Sequence, residues 1–472
     1  MSATRTDEPA LTPRGEPRAA APQAADEELL RLGYTPQLER SLTLRGLLVY
    51  GLLFFVPMAP VAVFGHVSNL SGGVPVLVYL VAALIMGLSA VSYREMALRF
   101  PVAGSVYGYV RLATGPRLGF VAGWLILLDY VLMPALLTVL GALALAHIWP
   151  GVPVAAFAAC FVLASLALNL LGIEVTTRVG LVLLAVQLAV IAAVLGFVAR
   201  AVIAGDVTPS FDPIWQAGAS PAAVLSAVSI AALSYLGFDA VATLNEEARG
   251  GGRAVARATT VLLALLTGLF AAQVYAAGIV TGSGTFAAGS ATDRAFYGAV
   301  EAVAPAWFTP VFTLVNAFVA IFACLVVAHA ATARLLFAMG RDGVLPRRLG
   351  HTSARGVPVA ATLVVGTVAL VVSVAFAGQA SLMTSLVTFG ALSSYVVLHA
   401  AVLARCLRGE RSRRWWTHGA VPVLGVLTLC VALWQTPTLA RTVGLTWLGL
   451  GLLGMLGRAA LRRTDSTTTP ER

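Results

Sequence analysis

The chain has 472 residues, 59% of them hydrophobic and only 11% charged, with a mean hydropathy of +0.88. A water-soluble protein would carry about a quarter charged residues, so a soluble enzyme or binding domain is excluded in favour of a membrane protein. The net charge of +10 rests on 31 basic residues against 21 acidic ones; every basic residue is an arginine, and their clustering at the ends of apolar runs marks topology, not a nucleic-acid surface.

Taken in order, residues 1–43 are polar, rich in Ala, Pro, Arg and Glu, and carry no cleavable signal, so they read as a disordered cytoplasmic tail. Long apolar runs then recur, each near the roughly 20 residues a helix needs to span a bilayer. They predict twelve spans at 44–65, 74–92, 118–147, 153–172, 179–203, 222–244, 255–280, 308–338, 358–378, 382–404, 419–436 and 442–461. The short alternating segments of a porin-type barrel are absent. With both termini inside, only Arg200, Arg294 and Arg441 of the 31 arginines fall outside, and a one-span error in the middle would scramble that split.

Two spans carry breaks. The first contains Phe-Val-Pro-Met-Ala-Pro (55–60), where Pro57 and Pro60 remove backbone donors and clash with the preceding turn. The sixth contains Leu-Gly-Phe-Asp (236–239), with an acid inside the apolar run. Broken helices opening two successive sets of five predict an inverted-repeat transporter with its site between the breaks. The expected fold is therefore all-α and polytopic. Its parts are a first five-helix repeat (44–203), a second, inverted one (222–404), two additional helices (419–461) and a cytoplasmic tail (462–472).

Only Asp129 and Asp239 lie well inside predicted spans. Intramembrane acids mark transport pathways or proton relays by default, which favours function for Asp239; Asp129, beside Tyr130, reads equally as a structural acid satisfied by that hydroxyl or by backbone amides. Around the breaks, Met58, Ala59, Pro60, Ala62, Tyr235, Leu236, Gly237, Phe238 and Asp239 are the candidate substrate-binding residues, through freed amides and carbonyls. Phe238 either stacks on an ammonium or simply packs. Glu246, Glu247 and Arg253 form inner-gate ion pairs or remain solvated loop charges. The loop 99–109 reads as a re-entrant or interfacial segment. Asn169, Gln187, Gln273 and Asn316 are expected to hydrogen-bond between helices, and His66, His147, His329 and His399 to be structural. Cys160, Cys324, Cys406 and Cys430 show no metal spacing, no nucleotide loop or nucleophile elbow is present, and no cofactor is expected.

Five stretches resemble the amino acid–polyamine–organocation superfamily of permeases, and within it the putrescine importer group: Ser-Tyr-Arg-Glu-Met-Ala-Leu-Arg-Phe-Pro-Val-Ala-Gly-Ser-Val-Tyr (92–107), Gly-Trp-Leu-Ile-Leu-Leu-Asp-Tyr (123–130), Leu-Gly-Phe-Asp-Ala-Val-Ala-Thr-Leu-Asn-Glu-Glu (236–247), Ala-Arg-Leu-Leu-Phe-Ala-Met-Gly-Arg-Asp-Gly-Val-Leu-Pro (333–346) and Thr-Phe-Gly-Ala-Leu (388–392). The resemblance implies the five-plus-five repeat, alternating access, and proton-coupled uptake or exchange of amino acids or amines. It also implies an Asp239 linked to proton or substrate sensing. One departure matters: the resembled importers carry an aspartate where Ala62 stands. A dication in a dry site needs nearby negative charge, so its loss points to a substrate with one amine, or to an amino acid. Ala256 replaces a proline common after the sixth-span loop.

The expectation is an importer of amino acids or putrescine-like amines in the inner (cytoplasmic) membrane, driven by protons, with a small-molecule substrate and the lipid bilayer as partners and no nucleic acid. An exchanger without proton coupling, and a sensor that binds without translocating, are the alternatives.

Overall fold

The computed structural model describes residues 26–467 apart from 28, 36, 39, 150, 283–284, 288–289, 354–355, 377–378 and 409–414. Among these residues the regular structure is helical, and β pairing is limited to one parallel bridge between Leu42 and Ala248. Eight helices are long and apolar enough to cross a membrane singly. They are Pro75–Arg99, Pro116–Leu143, Arg178–Ala204, Gly251–Thr281, Phe308–Arg341, Leu382–Leu407, Trp416–Trp434 and Thr438–Leu456. The bent pair Leu44–Phe55 and Pro60–Ser71 adds a ninth crossing, and the shorter apolar helices Val154–Leu170, Pro221–Leu233 and Val359–Ala375 stand where spans four, six and nine are predicted. The architecture is thus that of a polytopic, all-helical membrane protein. Pro60, Pro75, Pro116 and Pro221 each open a helix, where a missing backbone N–H costs nothing.

Both expected breaks exist. The two halves of the first span meet at 54°. Val56 takes a φ of 53° there, a rare conformation for a β-branched residue, and Pro57 cannot donate to continue the ladder. In the sixth span Pro221–Leu233 stops, Gly237 turns at φ 128°, and Phe238–Ala242 follows as a short helix. A side chain at Gly237 would be strained at that φ and would collide with Phe54, so glycine is required where the two broken spans touch.

Several features were not foreseen. The eighth span contains a π-helical turn, Val315–Ala320, and another, Trp416–Ala420, opens the eleventh; such turns usually mark functional or strained positions. The loop 99–109 contributes to a helix, Ser105–Thr114, entered through Gly104 and Ser105 at positive φ. Of the expected disordered tail, residues 1–25 lie outside the described residues, but from Asp26 onward the chain is packed. Leu29, Leu38 and Leu42 are buried, and Arg40 pairs with Asp26 at 2.6 Å. This strap covers one end of the helix bundle because its leucines find apolar cover and its backbone finds partners. Leu42 N donates to Glu247 O at 3.0 Å and Arg249 N to Leu42 O at 2.9 Å.

The third span runs through the centre, packed on the tenth, eighth, ninth and fourth. The twelfth is moored to it by a reciprocal tryptophan pair. Trp124 Nε1 donates to Trp447 O and Trp447 Nε1 to Trp124 O, both at 2.7 Å, with the rings stacked at 4.4 Å.

Candidate functional site

Asp239 occupies the first turn of Phe238–Ala242 and is 1% exposed. The Tyr130 hydroxyl of the third span donates to its Oδ2 at 2.6 Å. Tyr130 is held in turn, since the Thr332 hydroxyl of the eighth span donates to its carbonyl at 2.6 Å. The Asp239 carbonyl accepts from Ser105 Oγ at 3.2 Å, and Ser105 lies 3.3 Å from the Tyr93 hydroxyl. Phe238, Tyr93 and Tyr395 then form a closed aromatic trio, with centroids 5.3 to 5.5 Å apart, and Phe55 from the first-span break lies 6.4 Å from Phe238. The Tyr395 hydroxyl stands beside the Asp239 carboxyl but has no partner at hydrogen-bonding geometry among the described residues. An acid, three tyrosines and a phenylalanine from four spans thus converge on one buried point.

Asp129 is 5% exposed and close enough to Asp239 to interact with it electrostatically. Its neighbour Tyr130 donates to Asp239, so the hydroxyl offered as one partner for Asp129 is engaged elsewhere. Adjacent residues on a helix diverge by about 100°, which lets position 130 reach across while 129 faces the eighth and tenth spans. Gly390 packs directly against the Asp129 backbone.

The freed backbone at the first break is partly satisfied by other spans. Cys324 Sγ approaches Phe54 O at 3.3 Å and Gln273 Nε2 donates to Pro57 O at 2.9 Å. Met58 and Pro60 are buried, Ala59 is half-buried and Ala62 is exposed. Leu236, Gly237 and Phe238 are buried at the junction. Tyr235 does not join this group. Its hydroxyl donates to Tyr79 O at 3.1 Å and its ring packs on Tyr79 and Phe270, which turns it towards the second and seventh spans.

At the strap end the molecule is closed by charge. Glu246 accepts two hydrogen bonds from Arg341, at 2.7 and 2.9 Å, and a third from Ala103 N at 2.8 Å. Glu247 takes a bidentate pair from Arg334, and both acids are buried. Asp342 pairs with Arg111 and accepts from Tyr107 at 2.7 Å. Arg341 lies 4.4 Å over the Tyr34 ring, which brings the strap into the network. Burial, helped by the Asp342 charge, pushes the Tyr34 hydroxyl up to about 12 and raises Tyr107 as well. Burial opposes the charge on Arg111, but the Asp342 contact outweighs it and raises that pKa. Glu246 and Glu247 are thus ion-paired, but with Arg341 and Arg334; Arg253 is exposed and forms no ion pair among the described residues. It sits in the first turn of Gly251–Thr281, on a face turned away from the network.

At the opposite end a cavity of about 470 Å³ opens between the half-helices Pro60–Ser71 and Pro221–Leu233, the tenth span and the Gln435–Pro437 turn. Val63, His66, Ser229 and Thr388 line it, and Ala62, one helical turn before His66, shares that face. Elsewhere, Asn169 bridges to Val326 O at 3.0 Å and Asn316 to Tyr297 at 2.7 Å. Gln187 does not follow the expectation: it is buried with neither amide atom bonded among the described residues. His329 and His399 are buried and hydrogen-bonded, and His66 pairs with Asp293 at 2.9 Å. The His147 side chain lies outside the described residues. Among those residues no cluster could hold a metal ion.

The sequence reading missed Tyr93, Tyr395, Ser105, Arg334, Arg341 and Asp342. All but Tyr395 lie in the quoted stretches 92–107 and 333–346, which carried the resemblance without showing which side chains point inward.

A family model described as "Amino acid permease" matches residues 46–455. The low-affinity putrescine importer PlaP of Escherichia coli is 29% identical over 432 residues, covering 88% of this chain and 93% of the relative. The branched-chain amino acid permease BcaP of Lactococcus lactis is 25% identical over 440 residues, covering 87% and 92%. The methylthioribose transporter of Bacillus subtilis is 27% identical over 439 residues, covering 86% and 88%.

Proposed function

Because the chain belongs to the amino acid permease family, we propose that this transporter of amino acids or amines imports its substrate across the cytoplasmic membrane by alternating access, coupled to protons. The observation that carries the reading is Asp239. It is a buried carboxyl on the broken sixth span, served by Tyr130 and enclosed by Phe238, Tyr93 and Tyr395. A carboxyl at this depth must meet a proton or a cation during the cycle, since leaving it charged and unpaired is expensive. The substrate amine and a proton therefore compete for Asp239, with Asp129 as the second acceptor, and the aromatic trio excludes water while the exchange takes place.

The strap end is the cytoplasmic end in this reading, with both termini inside. The arginine distribution supports that orientation. The ion pairs of Glu246 and Glu247 form the closed inner gate, and the 470 Å³ cavity is the vestibule through which substrate arrives from outside. Among the described residues no carboxylate is on the lining of that vestibule, Asp293 standing behind the lining His66 as its partner, and Ala62 offers no carboxylate where the resembled importers have one. This supports a substrate with one amine, an amino acid ahead of a diamine.

The test is uptake into proteoliposomes under an imposed inward proton gradient, with labelled putrescine beside neutral and basic amino acids. Accumulation that collapses with the gradient is expected. Uptake by counterflow that ignores the gradient would replace the symporter with an exchanger, and binding without accumulation would leave a sensor. Asp239→Asn should abolish accumulation; retention of uptake with an unchanged pH profile would remove Asp239 from the mechanism.

A further inference from the structure

A second cavity lies outside the transport pathway. It measures about 600 Å³ and opens beside the strap, between the start of the first span and the start of the fifth. Its floor is apolar, formed by Leu48, Val49 and Leu181, and Arg45 and Arg178 stand on its lining. Both arginines are exposed, and neither forms an ion pair among the described residues. Other exposed arginines, Arg117 and Arg253 among them, also form no ion pair among the described residues, but Arg45 and Arg178 share one apolar groove. Leu181 is 54% exposed and Val182 beside it 63%, so the groove faces the hydrocarbon of the leaflet. Two exposed cations on the lining of an apolar slot match a molecule with an anionic head and an acyl tail.

We propose that this groove binds an anionic phospholipid of the inner leaflet, with its phosphate on Arg45 and Arg178 and an acyl chain along Leu48, Val49 and Leu181. The assignment of the leaflet rests on the orientation given above. The consequence is mechanical. The lipid ties the half-helix Leu44–Phe55 to the fifth span, on the inner side of the Val56 bend. That half-helix begins two residues after Leu42, whose backbone pairs with the Glu247–Arg249 loop of the inner gate. A bound lipid therefore holds the inner end closed, and its departure frees the half-helix to swing.

The test measures lipid binding directly, so it does not depend on the substrate or on transport. The full-length protein in detergent would be titrated with dioleoyl phosphatidylglycerol, with dioleoyl phosphatidylcholine and with glycerol 3-phosphate, following bound lipid by native mass spectrometry and stability by Tm. Phosphatidylglycerol should remain bound and raise Tm, and the other two should not. The pair Arg45→Ala/Arg178→Ala should weaken binding roughly tenfold or more, from the loss of two surface cations. The pair Arg45→Lys/Arg178→Lys should restore most of it, and the exposed control Arg117→Ala should leave it unchanged. Equal retention by the Ala pair, an equal fall in Arg117→Ala, or equal binding of phosphatidylcholine would each overturn the proposal. Equal stabilisation by glycerol 3-phosphate would also overturn it, by making the groove a soluble-anion site.

Discussion

At the scale of single residues, the central fact is that Asp239 is served by a tyrosine 109 positions away in sequence while the acid beside that tyrosine is left to other neighbours. Tyr130→Phe removes the donor and leaves a buried acceptor short of one bond, a loss of about 1–3 kcal/mol. Uptake should fall at least tenfold, and the pH at which it is half-maximal should move, because the charged Asp239 carboxylate then loses the donor that stabilises it. A merely structural tyrosine would lower protein yield without moving the pH profile, so the profile is the readout. Ala62→Asp tests specificity: position 62 is exposed on the vestibule face, so the new carboxylate fits. Putrescine uptake should rise relative to that of amino acids, and an unchanged ratio would detach Ala62 from substrate choice.

At the scale of elements, breaks and gates behave differently with respect to the sequence. The breaks were legible because their causes are local. Two prolines three apart and a glycine before an acid leave marks in the chain, and the structure bends or turns at both. Gly237→Ala should add about 1–3 kcal/mol of backbone strain and push Phe54, reducing transport while leaving the other spans intact; uptake per folded molecule measures it. The ion pairs were only half legible. Glu246 and Glu247 could be named from sequence, but Arg253 was chosen for closeness along the chain, whereas the true partners lie 95 and 87 residues away on the eighth span. Helix direction decides such pairings, and a loop of unknown geometry conceals it. Breaking one partner of a buried pair costs about 3–5 kcal/mol, so Glu247→Gln should destabilise the closed inner end. A cysteine placed in the pathway should then become more accessible to a membrane-impermeant thiol reagent applied from the cytoplasmic side. The π turns were not legible: Asn316 inside Val315–Ala320 was singled out as a hydrogen-bonding residue, but a polar side chain in an apolar span does not by itself mark a change of helix type.

At the scale of the whole molecule, hydropathy and arginine placement gave the helical class and the span order, because bilayer thickness imposes them on the chain. The orientation can be checked with the exposed position 253: Arg253→Cys should react with an impermeant maleimide only in inside-out vesicles. Composition failed for residues 26–43, whose few leucines are enough to seat the strap once a partner surface exists. Tyr34 gives that seat its pH behaviour. Its pKa is raised by burial, so its contribution is fully present below the ordinary tyrosine value of about 10 and is lost as pH rises through about 12. Trypsin cutting at Arg31 and Arg40 should therefore be slow and constant up to about pH 10, and faster above it.

The tryptophan pair between the third and twelfth spans has an optical consequence. Two indoles stacked at 4.4 Å and 10° have strongly coupled electronic transitions, so the folded protein should show a split near-ultraviolet dichroism band that a lone tryptophan cannot produce. Trp447→Phe would remove this pair's share and leave that of Trp415 and Trp416, stacked at 4.4 Å and 29°, so the difference between the two spectra reports the contact of the twelfth span with the third. The docking of the last helix can thus be read without a label, in the same membrane in which uptake is measured.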